Sequence, residues 1–280
     1  MSEAITDAIN SEFGALHSQC DLLRSLHVQG RPLVLPNVWD AATARTVVAA
    51  GFPVVATTSA GVTAALGYED HEKAPSEEML LAAGRIARSV DVPVTVDVEA
   101  GYGLSPAELV TRLKQIGAAG CNLEDTDHAS GTLREADQQA DWLHGVREAA
   151  SKQDYRLVIN ARVDAFLHAL DKQPQGDQLE EALTRANAYI EAGADCVYPI
   201  TLWERDALTS FMAKVDGPVN ILATPRAPSI AELAEFGVAR VSLAGFLYRG
   251  AMAWLQSTLD SLAREAEEAG SPMRPAASED

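Results

Sequence analysis

The chain has 280 residues, 47% of them hydrophobic and 22% charged, with a formal net charge of −18 and a sequence pI of about 4.7. This is ordinary globular composition, and the length suits one large α/β domain. The acid excess argues against nucleic acid and anionic membrane as main partners, and no apolar run approaches the roughly 20 residues that span a bilayer.

In chain order, a helix is expected over about residues 7–28, followed by strands near 33–36, 53–57, 94–98, 121–124, 157–161, 196–200, 219–223 and 240–243. One pattern organises them: a helical stretch ends at a glycine and a short apolar run follows, as in AAGFPVVATT, IGAAGCNLED, EAGADCVYPI and EFGVARVSLA. The glycine reads as a left-handed C-cap and the apolar run as a strand buried on both faces. Pro93 and Pro218 mark the entry of two further strands. Between strands, SPAELVTRLKQIG opens with a Ser105/Glu108 capping box and Pro106, and Ser229/Glu232 forms another. A long helix closes the chain over about 246–268, and a flexible tail is expected over 271–280.

Strands alternating with helices imply parallel pairing through right-handed crossovers, and eight such units imply a single (β/α)8 TIM barrel over residues 1–270. No G-x-G-x-x-G follows any strand, which weighs against an open dinucleotide-binding sheet. Cys20, Cys121 and Cys196 follow no metal or redox spacing. Reduced cysteines and an acidic N-terminal stretch without a secretory pattern suggest the cytoplasm.

Barrel chemistry gathers where strands end, so those positions are informative. They hold Asn37 and Asp40, then Thr57 to Gly61, Asp97 and Glu99, Glu124 and Asp125, Asn160, Arg162 and Asp164, while strand 7 carries Asn220 and reaches Thr224 and Arg226. Asp97 and Glu99 stand at i and i+2, which on a strand puts both on one face. With Glu124 they form an oxygen-rich cluster suited to Mg²⁺ or Mn²⁺. The alternative is a set of structural ion pairs with Arg162. Arg162 offers a planar fork to a substrate carboxylate. The segment TTSAGVTAALG offers backbone N–H groups and hydroxyls to an anion, and the loop beyond it is long enough for a lid carrying Asp70. His128 is a candidate acid/base. His17, His27, His144 and His168 read as surface residues, and Trp39, Tyr102 and Tyr198 either line the pocket or pack.

The segments PNVWDAATAR, TTSAGVTAALGYED, VDVEAGYG, NLEDTDH and INARVDAF, in this order, resemble the isocitrate lyase/phosphoenolpyruvate mutase superfamily over about residues 33–250. The resemblance implies a (β/α)8 barrel with a last helix often swapped between subunits, giving a homodimer or homotetramer. It also implies Mg²⁺ holding a small α-keto or α-hydroxy carboxylate, and chemistry through a pyruvate-like enolate. By the same resemblance Asp97 touches the metal, while Glu99, Glu124 and Asp70 support it largely through water. Arg162 matches the strand-5 arginine, and Thr58, Ser59 and Ala60 match the segment that binds the substrate carboxylate. Asn220 is a further substrate-binding candidate.

The departures narrow the reaction. The loop after strand 4 reads DTDHASGTLREADQQ, without the Lys-Lys-Cys-Gly-His of the isocitrate and methylisocitrate lyases. It also lacks the Lys- and Asn-bearing loop of the phosphonopyruvate-forming mutases, and strand 6 ends in Tyr198-Pro199-Ile200 without their histidine. The leading expectation is a Mg²⁺-dependent carbon–carbon lyase or decarboxylase acting on a small α-keto or α-hydroxy (di)carboxylic acid, with Arg162, His128 and Asp70 as catalytic residues. The alternatives are phosphorus–carbon bond chemistry and a catalytically silent α-keto acid-binding barrel.

Overall fold

The computed structural model describes residues 3–170 and 172–272. All but the first two positions of the expected tail lie outside the described residues. Eight parallel barrel strands are present. The first, β1, runs as Leu33–Leu35 and Asn37–Val38 on either side of Pro36. Then come β2 (Val55–Thr57), β3 (Val94–Asp97), β4 (Gly120–Glu124), β5 (Val158–Val163), β6 (Cys196–Pro199), β7 (Asn220–Leu222) and β8 (Arg240–Ser242). Every expected strand is found, shifted by no more than two residues at an end, except that β1 continues past Pro36.

Each strand pairs in parallel with its sequence neighbour, from Asn37↔Ala56 round to Asn220↔Arg240. β6 and β7 meet through a single bridge, Val197↔Val219. Leu33↔Arg240 then returns β8 to β1 and closes the barrel. The strands are apolar and buried because helices cover the outside and side chains fill the inside.

The intervening helices begin where the sequence says they should. Ser105 and Glu108 cap reciprocally, with Pro106 in the first turn, and Ser229 and Glu232 do the same. A further box, not anticipated, is made by Asp40 and Thr43 at the start of Ala41–Ala49. Asp40 is therefore a helix cap, worth about 1 kcal/mol. The helix Glu3–Ser25 closes the opposite end of the barrel. Its Leu23 packs where a Cβ on Gly120 would lie only 2.8 Å from Leu23 Cδ2. Arg24 from the same helix donates to the Leu157 carbonyl and to Asp195.

Four details depart from the sequence reading. TTSAGVTAALG is not an open loop, because Ser59–Leu66 is helical. A small antiparallel hairpin, Thr126–Asp127 with Thr132–Leu133, follows β4. His27 is not a surface residue: Nδ1 bonds the Leu23 carbonyl at 2.8 Å, and burial holds its pKa down at about 4. His168 turns inward onto Thr126 rather than to solvent.

The last helix, Phe246–Glu268, has the expected bounds but none of its residues is buried. Trp39 packs edge-on against Tyr248, 5.3 Å between ring centroids. Beyond that, Trp254 is 70% exposed and Leu262 58%. Docking of the whole helix on its own barrel, one of the two readings of its apolar side, is not observed. No helix among the described residues is long and apolar enough to cross a membrane.

Candidate active site

At the C-terminal mouth, β3 delivers Asp97 and then turns sharply. Asp97 is placed from both sides. Its N–H donates to Thr57 Oγ1 at 2.8 Å, and its Oδ2 accepts the Ser59 N–H at 3.1 Å. The i, i+2 strand argument does not extend to Glu99, because the strand ends at Asp97 and Glu99 adopts a left-handed φ of 49°. The side chain reaches the mouth by another route. Glu99 is buried, and its Oε2 accepts the Glu72 N–H at 2.5 Å.

That bond belongs to a lid clasp. Glu72 in turn accepts the Tyr102 N–H at 2.6 Å, tying the lid to the Gly-Tyr-Gly turn. The clasp requires a tight reversal, and both His71 and Glu72 adopt positive φ, 68° and 56°. Two successive non-glycine residues in this region store strain of about 1–3 kcal/mol each, a feature that clusters at functional sites. The reversal brings Asp70 to the acids, where its charge raises the pKa of both Asp97 and Glu99.

β4 and β5 stand in register at Glu124↔Arg162, and these side chains form an ion pair. Asp164 holds the same guanidinium, Oδ1 at 2.5 Å from Nε and Oδ2 at 2.9 Å from Nη2. Asp164 is itself set by its N–H donating to buried Asp125 at 2.8 Å, and Asp125 also accepts from Arg185 and Tyr189. Glu124 Oε1 accepts from His128 Nε2 at 2.5 Å. Arg162 thus pairs structurally with Glu124 and still lies at the mouth, so the ion-pair and substrate readings coexist. Burial would lower the His128 pKa, but the hydrogen bond and charge of Glu124 outweigh it and raise it.

The helix Ser59–Leu66 starts at the mouth with Thr58 as its N-cap residue. The Ser59 N–H is spent on Asp97, and the Val62 N–H on the Thr58 carbonyl. Ala60 and Gly61, the next positions of the first turn, carry N–H groups of the kind that a helix start leaves without helical partners. Gly61 is required there: a Cβ would meet Thr58 Cγ2 at 2.8 Å and Trp39 Cβ at 3.0 Å. Asn220 is the first residue of β7, within the expected strand, is wholly buried and donates to Ser242 Oγ at 3.0 Å.

The acids strain against one another. Burial, with the charges of Asp97, Asp70 and Glu124, lifts the Glu99 pKa to about 8 against the Glu72 N–H that lowers it. Burial lifts Glu124 to about 7 even though Arg162 opposes it, and lifts Asp97 as well. Buried Oε1 of Glu99 and Oδ1 of Asp70 have no hydrogen-bond partner. Among the described residues, no three carboxylate, imidazole or thiol groups converge as a direct chelate. Orphaned hard oxygens, mutual repulsion and few direct contacts are the donor set of a hydrated Mg²⁺ or Mn²⁺ site. Asp97, Glu99, Glu124 and Asp70 are residues of the kind that could hold such an ion.

Sequence reasoning missed His71, Glu72, Thr126 and His168 as site residues. Asp164 stood in INARVDAF and Tyr198 at the end of β6, so both were legible as mouth residues. The lid residues had no signal beyond their place in the loop.

The sequence profile described as phosphoenolpyruvate phosphomutase matches residues 23–263. Phosphoenolpyruvate phosphomutase of Streptomyces hygroscopicus is 30% identical over 264 residues, covering 89% of this chain and 82% of that protein. 2-Methylisocitrate lyase of Halalkalibacterium halodurans is 28% identical over 236 residues, 81% and 71% of the two chains. Among solved structures, a candidate phosphonomutase of Burkholderia cenocepacia J2315 superposes with a TM-score of 0.83 at 40% identity, covering 86% of this chain and 99% of that one.

Proposed function

The chain belongs to the phosphoenolpyruvate phosphomutase family, and from that premise we propose that it is a Mg²⁺-dependent carbon–carbon lyase acting on a small α-keto or α-hydroxy acid through a pyruvate-like enolate. The relatives named above include a mutase of phosphoenolpyruvate and a lyase of 2-methylisocitrate. Both substrates are small carboxylates. The observation that carries the reading is buried Glu99, with one partnerless oxygen and three further acids acting on it. Such a group calls for a cation beside it.

Asp97, Glu99, Glu124 and Asp70 would hold the divalent ion, which would supply Lewis-acid polarisation of a substrate oxygen. The chain's own groups do the rest. The Ala60 and Gly61 N–H groups hold the substrate carboxylate. Arg162, fixed by Asp164 and Glu124, turns its remaining N–H groups to the oxygen on which enolate charge develops, preorganised stabilisation that costs no reorganisation. His128, poised on Glu124, carries the proton that passes from the fragment's hydroxyl to the enolate carbon, in the place where the lyases named for isocitrate use a loop cysteine. The lid clasp between Glu72 and Tyr102 excludes water while the enolate exists. A cytoplasmic location and a second copy of the chain over the exposed apolar side of Phe246–Glu268 belong to the same proposal.

Phosphorus–carbon chemistry is the second reading, favoured by the identity to the Streptomyces mutase. One experiment separates the two: ¹H and ³¹P NMR turnover with Mg²⁺ on oxaloacetate, alkylmalates, isocitrates, 4-hydroxy-2-oxo acids and phosphonopyruvate, with a chelator control. A chelator-sensitive product from a carbon acid supports the lyase. Turnover of phosphonopyruvate alone supports the second reading, and turnover that ignores the chelator contradicts both.

A further inference from the structure

Between the lid turn and the loops after β4 and β5 lies a cavity of about 290 Å³ beside the acid cluster. His71 enters it from the lid, Thr126 and His128 from the β4 side, and Arg162, Leu167 and His168 from the β5 side. His71 and His128 face each other there, 5.2 Å between ring centroids.

The charges of this wall close on themselves. Among the described residues, Arg162 is the one permanent cation lining the cavity, and its Nε and Nη2 bond Asp164 while Nη1 pairs with Glu124. One guanidinium therefore faces two carboxylates before any ligand arrives. The hydroxyl of Thr126 and the Nε2 protons of His168 and His128 are spent as well. Thr126 gives its only hydroxyl proton to Asp164 Oδ2 at 2.5 Å, so at 3.0 Å it accepts from His168 Nε2. His168 is thereby fixed with its proton on Nε2, and that proton points at Thr126 rather than into the cavity. His128 spends its Nε2–H on Glu124. A second anion entering here would meet Asp164 and Glu124 with no unpaired permanent cation among the lining residues to offset their repulsion.

Resting on the enolate-forming reading above, we propose that this cavity receives the end of the substrate remote from the reacting carboxylate, and that this end is uncharged. An alkyl or carbonyl-bearing fragment fits it, and a second carboxylate or a phosphonate does not. The bond cleaved would then release a neutral carbonyl fragment beside the pyruvate-like enolate. In that cleavage the hydroxyl proton of the fragment passes to His128 as its carbonyl forms, the bonding electron pair passes to the enolate, and the return of that proton to the enolate carbon completes the products.

Isothermal titration in Mg²⁺ tests this with three probes: oxalate, which has no remote end; 2-oxoglutarate; and 5-methyl-2-oxohexanoate, in which an isopropyl group replaces the far carboxylate. The expected result is that oxalate binds and the neutral-ended keto acid binds at least about tenfold tighter than 2-oxoglutarate, with His71→Lys shifting the ratio toward the dicarboxylate by about tenfold. Equal or tighter binding of 2-oxoglutarate by the wild-type chain, with oxalate bound, overturns this inference alone. Failure of oxalate and both keto acids to bind overturns it together with the reading it rests on.

Discussion

Asp164 grips the Arg162 guanidinium with both carboxylate oxygens, at 2.5 and 2.9 Å. The two residues stand at i and i+2, with Arg162 in β5 and Asp164 just beyond its end. This clamp decides which N–H groups of Arg162 remain for a ligand, and its planarity cannot be copied by an ammonium. Arg162→Lys should therefore weaken oxalate binding in Mg²⁺ by about tenfold or more while leaving the thermal transition near its wild-type position. Titration calorimetry beside a melting curve checks both, and unchanged oxalate affinity would remove Arg162 from the site.

Behind the clamp, Asp125 is wholly buried and takes bonds from the Asp164 N–H, Arg185 and Tyr189. Asp125→Ala leaves the Arg185 guanidinium, 6% exposed, without its buried partner. Breaking one side of a buried pair costs about 3–5 kcal/mol. Urea unfolding should show a loss of that size, with Tyr189→Phe costing clearly less, about 1 kcal/mol.

The acid cluster makes stability depend on pH and metal. Glu99 ionises near 4.5 in an unfolded chain and at about 8 in the fold. Across that window the folded state holds a proton that the unfolded state has released, so metal-free stability falls as pH rises from about 4.5 to 8. A divalent cation favours the ionised form and offsets the loss. The melting temperature gained on adding Mg²⁺ should be larger at pH 8.5 than at pH 6, and Glu99→Gln should flatten the difference. An equal gain at both pH values would mean that Glu99 does not face the ion.

The lid clasp is testable without a substrate. Glu72→Ala removes the acceptor of the Tyr102 N–H. Hydrogen exchange at that amide should accelerate by about tenfold or more, while amides of β4 keep their protection. Retained protection at Tyr102 would show that the turn holds itself.

The barrel was legible because each strand is an apolar run, and most are announced by a glycine cap or proline, patterns that local chemistry enforces. The carboxylates and Arg162 were legible because strand ends define the mouth. What escaped depends on backbone reversals that no periodicity records. Glu99 was read as a strand residue, yet it reaches the mouth from a left-handed turn. His71 became a site residue only through the strained lid reversal, and His168 only because Thr126 turns it inward. The Ser59 N–H was read as available to substrate, but the fold spends it on Asp97.

The central claim is that an Asp97-anchored cation and Arg162 stabilise a pyruvate-like enolate. The most direct measurement is ¹H NMR of pyruvate in D₂O with the protein and Mg²⁺, following loss of the methyl signal as its protons exchange for deuterium. The account predicts exchange well above the buffer rate, abolished by a chelator and by Asp97→Ala. Exchange at the buffer rate with folded wild-type protein and Mg²⁺, or exchange that survives Asp97→Ala, would contradict it.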